Sequence, residues 1–267
     1  METIVNNTLF TGKFLVHLPS VDSTNNYAKE YIANSSPIDG TVILADNQFA
    51  GRGQIGNKWM VEPNKNLTFS IVYNTSFLLA TEQFYLNMAV SLGVWRAMEE
   101  VFLGCDSLKS ANKTTTLIKW PNDILANNLK IAGILIENTI SGVYLKHSII
   151  GIGLNINQST FPAAIKATSM KVIAQKELDR DIVLNIILSH IEKYYLSLKQ
   201  KQYTKIKKEY LEHLFRIDEL AHYKKQDSVF EGIIRGVEDN GNLIMETNTN
   251  GNSTIEKFAF KEISFII

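Results

Sequence analysis

A lysine in an otherwise apolar hairpin is the first residue of this sequence that suggests chemistry. Residues 129–136 are apolar at nearly every position except Lys130, and Asn127-Asn128 before them suits a two-residue turn. A lysine inside a buried strand needs an anion to face, because an unpaired buried charge is very costly. Gly133 lets another group approach the backbone closely. Taken alone, Lys130 is better explained by an edge strand whose lysine reaches solvent.

A glycine-rich loop carries the second candidate cation. Residues 51–56 read Gly-Arg-Gly-Gln-Ile-Gly, and Arg52 is suited to bidentate contact with an anion. The spacing matches the dinucleotide-binding fingerprint, but that motif needs a strand directly before it, a helix after it and an acidic residue about twenty positions on. This sequence offers none of the three. We predict a mobile loop that closes over a ligand, although a purely structural turn explains the same glycines.

Polar side chains gather at the start of a predicted helix. Ser23-Thr24-Asn25 follows a short strand that ends at Pro19, and residues 27–32 place apolar side chains at helical spacing. Ser23 or Thr24 should cap this helix. A helix N-terminus with three polar side chains also suits a small polar ligand, so a cap and a binding site both remain open.

Composition limits the classes of protein to which the chain can belong. Lys and Arg total 27 and so do Asp and Glu, so the global basic field of a nucleic-acid-binding protein is missing. Cys105 is the single cysteine, which excludes an intrachain disulfide framework and fits a reducing compartment. The chain has no apolar run of membrane-spanning length, no signal-peptide pattern and no histidine pair with metal-ligand spacing. We expect a soluble, cytoplasmic protein without a protein-built metal site.

The elements that must position these residues divide the chain in two. Apolar patterns predict an α+β fold over residues 1–217, with a mixed β-sheet backed by long helices at 81–102, 178–198 and 203–215. Thr81 is the expected cap of the first long helix, and the strand at 66–73 reads as half-buried. From residue 218 to 267, short strands between asparagine and glycine turns predict a small antiparallel β-barrel, with an exposed turn at Asn240-Gly241.

Several separated motifs, in this order along the chain, closely resemble those of the biotin protein ligases. The residues that carry the resemblance are Ser23-Thr24-Asn25, Gln48, Gly51-Arg52-Gly53, Trp59, Lys119-Trp120-Pro121-Asn122-Asp123, Lys130 with Ala132-Gly133-Ile134, and Gly151-Ile152-Gly153-Leu154-Asn155-Ile156-Asn157. The resemblance extends from about Phe14 to the C-terminus. It implies a class II synthetase-like catalytic domain and an SH3-like tail. Too few residues precede the first strand for the DNA-binding domain of the bifunctional members, so it implies a monofunctional enzyme.

The resemblance also implies a two-step reaction. Biotin attacks the α-phosphorus of ATP, with Mg²⁺ bound to the nucleotide, and gives biotinyl-5′-AMP. A lysine of a biotin carboxyl carrier protein, such as that of acetyl-CoA carboxylase, then takes the biotin. The implied catalytic residues are Lys130 and Arg52. The implied biotin-binding residues are Ser23, Thr24, Asn25, Gln48, Arg52, Gly53, Gln54, Lys130 and Gly133. The implied ATP-binding residues are Gly51, Trp59, Asn122, Asp123 and Asn155.

One position departs from the family pattern, and two other functions stay open. Gln54 stands where the glycine loop of the family often has a second arginine, so this loop offers less positive charge to a phosphate. A lipoate–protein ligase or octanoyl transferase would share the fold, and a biotin-responsive regulator would bind without turnover. We expect no nucleic-acid or membrane partner. The identity of the carrier, dimerisation through a sheet edge and the division of roles between Asn122 and Asp123 are left open.

Overall fold

A mixed sheet organises the first part of the chain. The structure is a computed structural model that describes residues 7–54, 56–105, 114–163, 165–249 and 252–266. The strands of this sheet are β1 (Leu15–Leu18), β2 (Thr41–Ala45), β3 (Leu67–Asn74), β4 (Thr116–Lys119), β5 (Asp123–Ala126), β6 (Leu129–Ser141) and β7 (Tyr144–Leu154). Their order across the sheet is β1-β2-β3-β7-β6-β5-β4. β1 and β2 run parallel while the other neighbours run antiparallel, which confirms the predicted mixed sheet.

Helices cover the sheet. They are α1 (Thr24–Asn34), α2 (Gln83–Leu103), α3 (Met170–Ala174), α4 (Arg180–Lys199) and α5 (Tyr203–Glu212). The prediction of Thr81 as the cap of α2 is wrong, because Thr81 lies within a one-turn 3₁₀ helix, Ala80–Glu82, that precedes it. The start of α4 agrees with the helix predicted from residue 178, and Asp179 caps it, since its carboxylate accepts hydrogen bonds from the backbone N–H groups of Asp181 and Ile182. None of the helices in the described ranges is long and apolar enough to cross a membrane.

β3 is buried on both faces, although its sequence alternates like a half-buried strand. One face packs into the large core with α2 and α4, where Phe69 and Ile71 are completely buried. The other face meets α1, and Val72 joins Ala28 in a second, smaller cluster. Thr68 and Ser70 of β3 therefore lie inside the protein, where each needs a hydrogen-bond partner.

The hairpin around Lys130 forms as predicted. Asn127 and Asn128 join β5 to β6 with φ angles of 49° and 64°, the left-handed values that a two-residue turn requires. The register that this turn sets shifts at a β-bulge between Ile124 and Leu125, beyond which Asp123 stands opposite Gly133. Residues of the Lys119–Asp123 segment and of β6 are thereby brought to one place.

A second sheet follows in the last part of the chain. Its strands are β8 (Leu220–Lys225), β9 (Ser228–Val237), β10 (Leu243–Thr249), β11 (Asn252–Phe258) and β12 (Ser264–Phe265). All neighbours in the order β11-β10-β9-β8-β12 run antiparallel, which is consistent with the small SH3-like domain that was predicted. We propose the domain boundary between residues 217 and 218, because β8 begins shortly after that point.

The turn at Asn240-Gly241 does not project from the tail as an exposed loop. Gly241 is buried against Phe84 of α2, and its carbonyl oxygen accepts a 2.9 Å hydrogen bond from Trp120 Nε1. Asp239, which precedes Asn240 in this turn, accepts a hydrogen bond of 2.8 Å from the Tyr85 hydroxyl. The turn is thus a contact between the tail and the sheet domain, and the expectation of an exposed turn is wrong for Gly241.

Substitution of Gly241 by alanine is expected to destabilise this contact. A Cβ there would lie 2.7 Å from the Phe84 ring, and the φ of +98° is one that alanine disfavours. Gly142 is a matched control because it has φ +62° with open space around it. We expect Gly241→Ala to lower the free energy of unfolding by about 1–3 kcal/mol more than Gly142→Ala. Denaturant titration measures both, and equal losses would contradict the packing assigned to Gly241.

Candidate functional site

A cavity of about 330 Å³ opens where α1, the glycine loop, the hairpin and the tail meet. The site residues predicted from the sequence that line it are Ser23, Thr24, Asn25, Gln48, Arg52, Gly53, Gln54, Trp59, Asn122, Asp123, Lys130 and Gly133. These residues come from segments far apart in the sequence. Their convergence on one cavity supports the resemblance-based assignment of a single site.

Gly51 and Asn155 lie outside this cavity. The Gly51 carbonyl oxygen accepts a hydrogen bond of 2.9 Å from the backbone N–H of Trp59, and Gly51 lines the outer side of the loop. Asn155 is buried, donates from Nδ2 to the carbonyl oxygen of Thr168 at 3.0 Å, and lines a neighbouring cleft of about 510 Å³. Trp59 and Lys130 line both the cavity and the cleft, so these two side chains lie between the two spaces.

The glycine loop folds back on itself as a small flap. The Gly53 N–H donates to the carbonyl oxygen of Asn57 at 2.8 Å. The backbones of Arg52 and Lys58 pair as an isolated antiparallel β-bridge. In the part of the chain that is described, the next element after the flap is the strand β3 and not a helix, which agrees with the rejection of a dinucleotide-binding loop. Ile55 lies outside the described residues.

The start of α1 turns its polar groups inward. Ser23 occupies the cap position, as predicted, but its side chain makes no capping hydrogen bond. The backbone N–H of Thr24 instead donates to Gln48 Oε1 at 2.7 Å. Ser23, Thr24 and Asn25 are each almost completely buried, so they are placed to meet a ligand rather than solvent.

Two glycines of β7 let side chains lie flat against the sheet. A Cβ at Gly151 would collide with the Asn25 amide, and one at Gly153 would collide with the Trp59 indole. The indole therefore covers the sheet surface beside Gly133 and Gly153. Its Nε1 is buried with no hydrogen-bond partner among the described residues.

Both candidate cations already have a counter-ion within the protein. Lys130 Nζ lies 2.6 Å from Asp123 Oδ1, and Arg52 Nη2 lies 2.8 Å from Glu137 Oε1. Arg52 also donates to Asn26 Oδ1 at 2.7 Å. The anion that the sequence required for Lys130 is thus supplied by Asp123. Because the two cationic side chains remain 34% and 40% exposed, an anionic ligand in the cavity can still reach them.

A comparison with known protein families decides the relationship. The profile of the Biotin/lipoate A/B protein ligase family matches residues 17–155, which hold every predicted site residue. The chain belongs to this family.

Individual members of the family are similar over most of the chain. The bifunctional ligase/repressor BirA of Bacillus subtilis is 32% identical over 242 residues, covering 89% of this chain and 70% of that protein. The biotin–[acetyl-CoA-carboxylase] ligase of Paracoccus denitrificans is 27% identical and covers 85% and 92%. The structure of the Aquifex aeolicus biotin protein ligase with biotin and ATP has a TM-score of 0.74 at 28% identity, covering 94% and 98%.

Against this family background, Lys119 is a cavity residue that the sequence reasoning did not single out. Burial lowers the pKa of its ammonium group, Asp123 acts in the opposite direction, and the charges of Lys130 and Arg216 lower it further. An anion bound nearby would relieve that cost, because it favours the charged form of a lysine. Lys119 precedes the turn that begins at Trp120, so its place in the ligase motif was a usable signal.

The tail is a second contributor that sequence reasoning missed. Lys261, Ile263, Ser264 and Phe265 line the cavity, and Lys119 Nζ lies 5.1 Å from the centre of the Phe265 ring. In this member of the ligase family, the tail therefore completes one wall of the cavity.

A metal ion in this ligase site would find one carboxylate among the residues that the structure describes. Throughout the described ranges, no three His, Cys, Asp or Glu side chains converge as metal ligands. Asp123 is the one acidic residue that lines the cavity within these ranges, and Lys130 already holds it.

Proposed function

We propose that this chain is a biotin–protein ligase, which activates biotin with ATP and transfers it to a lysine of a carrier protein. One observation carries the proposal. The cavity has buried hydrogen-bonding groups at the start of α1 and cationic groups at Lys119 and Lys130, so it matches a ligand with a polar ring and an anionic end. Relatives named for this activity cover most of the chain, which supports the same conclusion.

The first step is favoured by placing fixed cations between two anions. The carboxylate of biotin attacks the α-phosphorus of ATP, a P–O bond forms, and pyrophosphate leaves with the electrons of the bond that breaks. Lys130 is placed to neutralise the charge that develops on the phosphoryl oxygens, because it lies on a rigid hairpin at the cavity wall. To do so, it must exchange part of its contact with Asp123 for the ligand.

The nucleotide is proposed to lie on the Trp59 side. Trp59 and Lys130 line both the cavity and the adjoining cleft, where Met60, Phe161 and Pro162 add apolar surface. A purine ring would bury its faces there while its phosphates reach the lysines. Asn122 holds the wall in shape, since its Nδ2 donates to the carbonyl oxygen of Ile134 at 2.6 Å.

Mg²⁺ is proposed to enter with the nucleotide. This ion usually keeps several waters and binds through one or two carboxylates together with the substrate phosphates. A single cavity carboxylate, Asp123, fits that pattern and would hold the ion. When bound, the ion supplies charge neutralisation on the phosphates. The residues of this chain then orient the reacting oxygen and the phosphorus, and Lys130 adds its own charge at the phosphoryl oxygens.

The second step takes place at the acyl carbon of the adenylate. A deprotonated lysine amine of the carrier attacks that carbon, the amide bond forms, and AMP leaves with the mixed-anhydride oxygen. Until the carrier arrives, water must be kept out, and the described part of the flap, residues 51–54 and 56–59, is the segment placed to cover the cavity. The names of the relatives point to a carrier of the acetyl-CoA carboxylase type.

The polar end of the cavity argues against a lipoate–protein ligase. A lipoyl ring has no N–H or carbonyl group, so it offers no hydrogen bond to the buried Ser23, Thr24 and Asn25 and would desolvate those of their polar groups that face the cavity. Leaving a buried donor or acceptor unpaired costs about 1–3 kcal/mol for each group. The cyclic urea of biotin offers both donors and an acceptor.

Exchange of labelled pyrophosphate into ATP tests the proposal. We expect exchange that depends on biotin and does not occur with lipoate, because only biotin satisfies the polar end of the cavity. Exchange with lipoate alone would identify a lipoate ligase. If biotin binds but neither acid supports exchange, the chain is a non-catalytic biotin-binding regulator.

A further inference from the structure

Behind the wall of the cavity, a chain of buried hydrogen bonds links Thr24 to Glu137. Ser70 Oγ lies 2.7 Å from Thr24 Oγ1 and 2.7 Å from Asn25 Oδ1, and Ser70 is completely buried. Asn25 Nδ2 lies 2.8 Å from Glu137 Oε2 and 3.3 Å from the carbonyl oxygen of Leu135. Of these groups, Thr24 and Asn25 were predicted from sequence, while Ser70 and Glu137 were not.

The orientation of the Asn25 amide follows from the chemistry of its partners. A carboxylate and a backbone carbonyl can only accept hydrogen bonds. The end of the amide that faces Glu137 and Leu135 must therefore be the NH₂ group. Asn25 Oδ1 consequently faces Ser70, where it can only accept.

This orientation fixes the direction of the next two hydrogen bonds. Ser70 Oγ has donor geometry towards both Asn25 Oδ1 and Thr24 Oγ1, but it holds only one proton. Because an amide oxygen can only accept, that proton goes to Asn25, and the contact with Thr24 is a hydrogen bond only when Thr24 supplies the proton. With that proton committed to Ser70, Thr24 Oγ1 presents only lone pairs to the cavity that it lines.

We propose that Glu137, Asn25 and Ser70 form a polarity relay that makes Thr24 an obligate hydrogen-bond acceptor, and so selects a ring N–H of the ligand. The inference rests on the proposed function, which supplies the cyclic urea as that ring. Ser70 and Glu137 are positioning residues, since they act through Asn25 and Thr24. A ring atom without a proton at this place would set its lone pair against those of Thr24 Oγ1, and the two would repel each other.

Glu137 has a second partner, so this residue takes part in both the relay and the contact with the flap. The same carboxylate holds Arg52, with Oε1 at 2.8 Å from Nη2. A change at Glu137 therefore disturbs both the relay and the flap. Ser70 touches only the relay among the hydrogen bonds described, so it is the cleaner position for a test.

The test compares biotin with its two cyclic carbamate analogues, in each of which one ureido N–H is replaced by a ring oxygen. For the analogue whose oxygen faces Thr24, we expect a dissociation constant from the intact protein about tenfold to a hundredfold higher than that of biotin. This is the change in affinity expected when one buried polar group loses its hydrogen-bond partner. Ser70→Ala frees the Thr24 proton to turn towards the ligand. The preference should then fall by about tenfold, as measured by isothermal titration calorimetry of the full chain.

Ser148→Ala is the matched control. Ser148 is another completely buried strand serine, with hydroxyl contacts of 2.8 Å to Thr75 and 2.6 Å to Asn138, and it does not line the cavity. Loss of its hydroxyl should lower stability while the ratio of the two dissociation constants stays at the value of the intact protein. A merely structural role of Ser70 would behave in the same way.

A second variant reverses the relay. Glu137→Lys places a donor where the acceptor stood, at a side chain that is 32% exposed and therefore tolerant of replacement. The Asn25 amide should turn over, Ser70 should then donate to Thr24, and the carbamate analogue should gain relative to biotin. An unchanged ratio in folded Ser70→Ala or Glu137→Lys protein would overturn the relay. Absence of biotin binding by the intact protein would instead overturn the proposed function.

Discussion

Replacement of Lys130 by glutamine is expected to slow the formation of biotinyl-5′-AMP by about 10²–10³-fold, the loss seen when one fixed contact to a developing anion is removed. Lys130 reaches the cavity from a hairpin whose turn and register hold it in place. Glutamine keeps a hydrogen-bonding group of similar length but has no charge. Binding of biotin should change far less than the rate, because the charge that Lys130 meets develops mainly during the reaction.

Single-turnover measurement of adenylate formation, with biotin and ATP in excess, gives this rate directly. Lys171→Gln is a suitable control, because Lys171 is 32% exposed, pairs with Glu177 at 2.8 Å and does not line the cavity. It should react at the rate of the unmodified protein. A folded Lys130→Gln protein that also reacts at that rate would contradict the role given to Lys130.

The ion pair with Asp123 makes a second explanation of a slow Lys130→Gln variant possible, and a double variant tests it. Lys130→Gln leaves Asp123 without its 2.6 Å partner, so the unpaired carboxylate is a second source of lost rate. The double variant Lys130→Gln/Asp123→Asn removes that charge as well, and Asp123→Asn alone measures the loss of the carboxylate proposed for Mg²⁺. If Lys130 acts on the ligand, adenylation in the double variant stays slower than in Asp123→Asn. Recovery of that rate would show that the pair serves only to neutralise Asp123.

The features that could be predicted from the sequence are those that depend on neighbouring residues. The Asn127-Asn128 turn has one favoured geometry, so the hairpin and the position of Lys130 within it could be predicted from a few residues. Asp179 likewise identifies the start of α4, because a carboxylate cap acts on its own helix. The motifs of the site were recognised for the same reason, since each is a short run of neighbouring residues.

Contacts between distant segments were beyond local patterns. Gly241 looked like an exposed turn because nothing nearby in the sequence announces that Phe84 and Trp120 cover it. Ser70 looked like the solvent side of a half-buried strand, because alternation cannot tell whether a second layer covers the polar face. Glu137 lies many residues from Asn25 and Arg52, and only the pairing of the strands shows that the three side chains meet.

Replacement of Arg52 by glycine is expected to let the adenylate escape from the cavity. In the structure, the guanidinium group is held by Glu137 and Asn26 at the rim of the flap. An adenylate in the cavity would compete with Glu137 for this charge and so fasten the flap over itself. A charge-assisted hydrogen bond contributes about 1.5–3 kcal/mol, which corresponds to roughly tenfold to a hundredfold in retention.

Gln54 provides the opposite change in the same flap. It lines the cavity and offers an amide where the family often has an arginine, so Gln54→Arg adds a charge. We expect this variant to retain the adenylate more tightly than the unmodified protein, by up to the same tenfold to hundredfold estimate of about 1.5–3 kcal/mol. Together the two substitutions change the charge of the flap in opposite directions around one unmodified reference.

Escape is measured as biotin label on serum albumin, whose exposed lysines react with free adenylate. Label should increase with Arg52→Gly and decrease with Gln54→Arg, while the rate of adenylate synthesis is measured in parallel. Arg96→Gln is the control, because Arg96 is 44% exposed in an ion pair with Glu209 and does not line the cavity. Normal synthesis without extra label in Arg52→Gly would mean that Arg52 does not guard the intermediate. In that case a lower label with Gln54→Arg alone would assign retention to position 54, because charge at the cavity wall would then be what holds the phosphate.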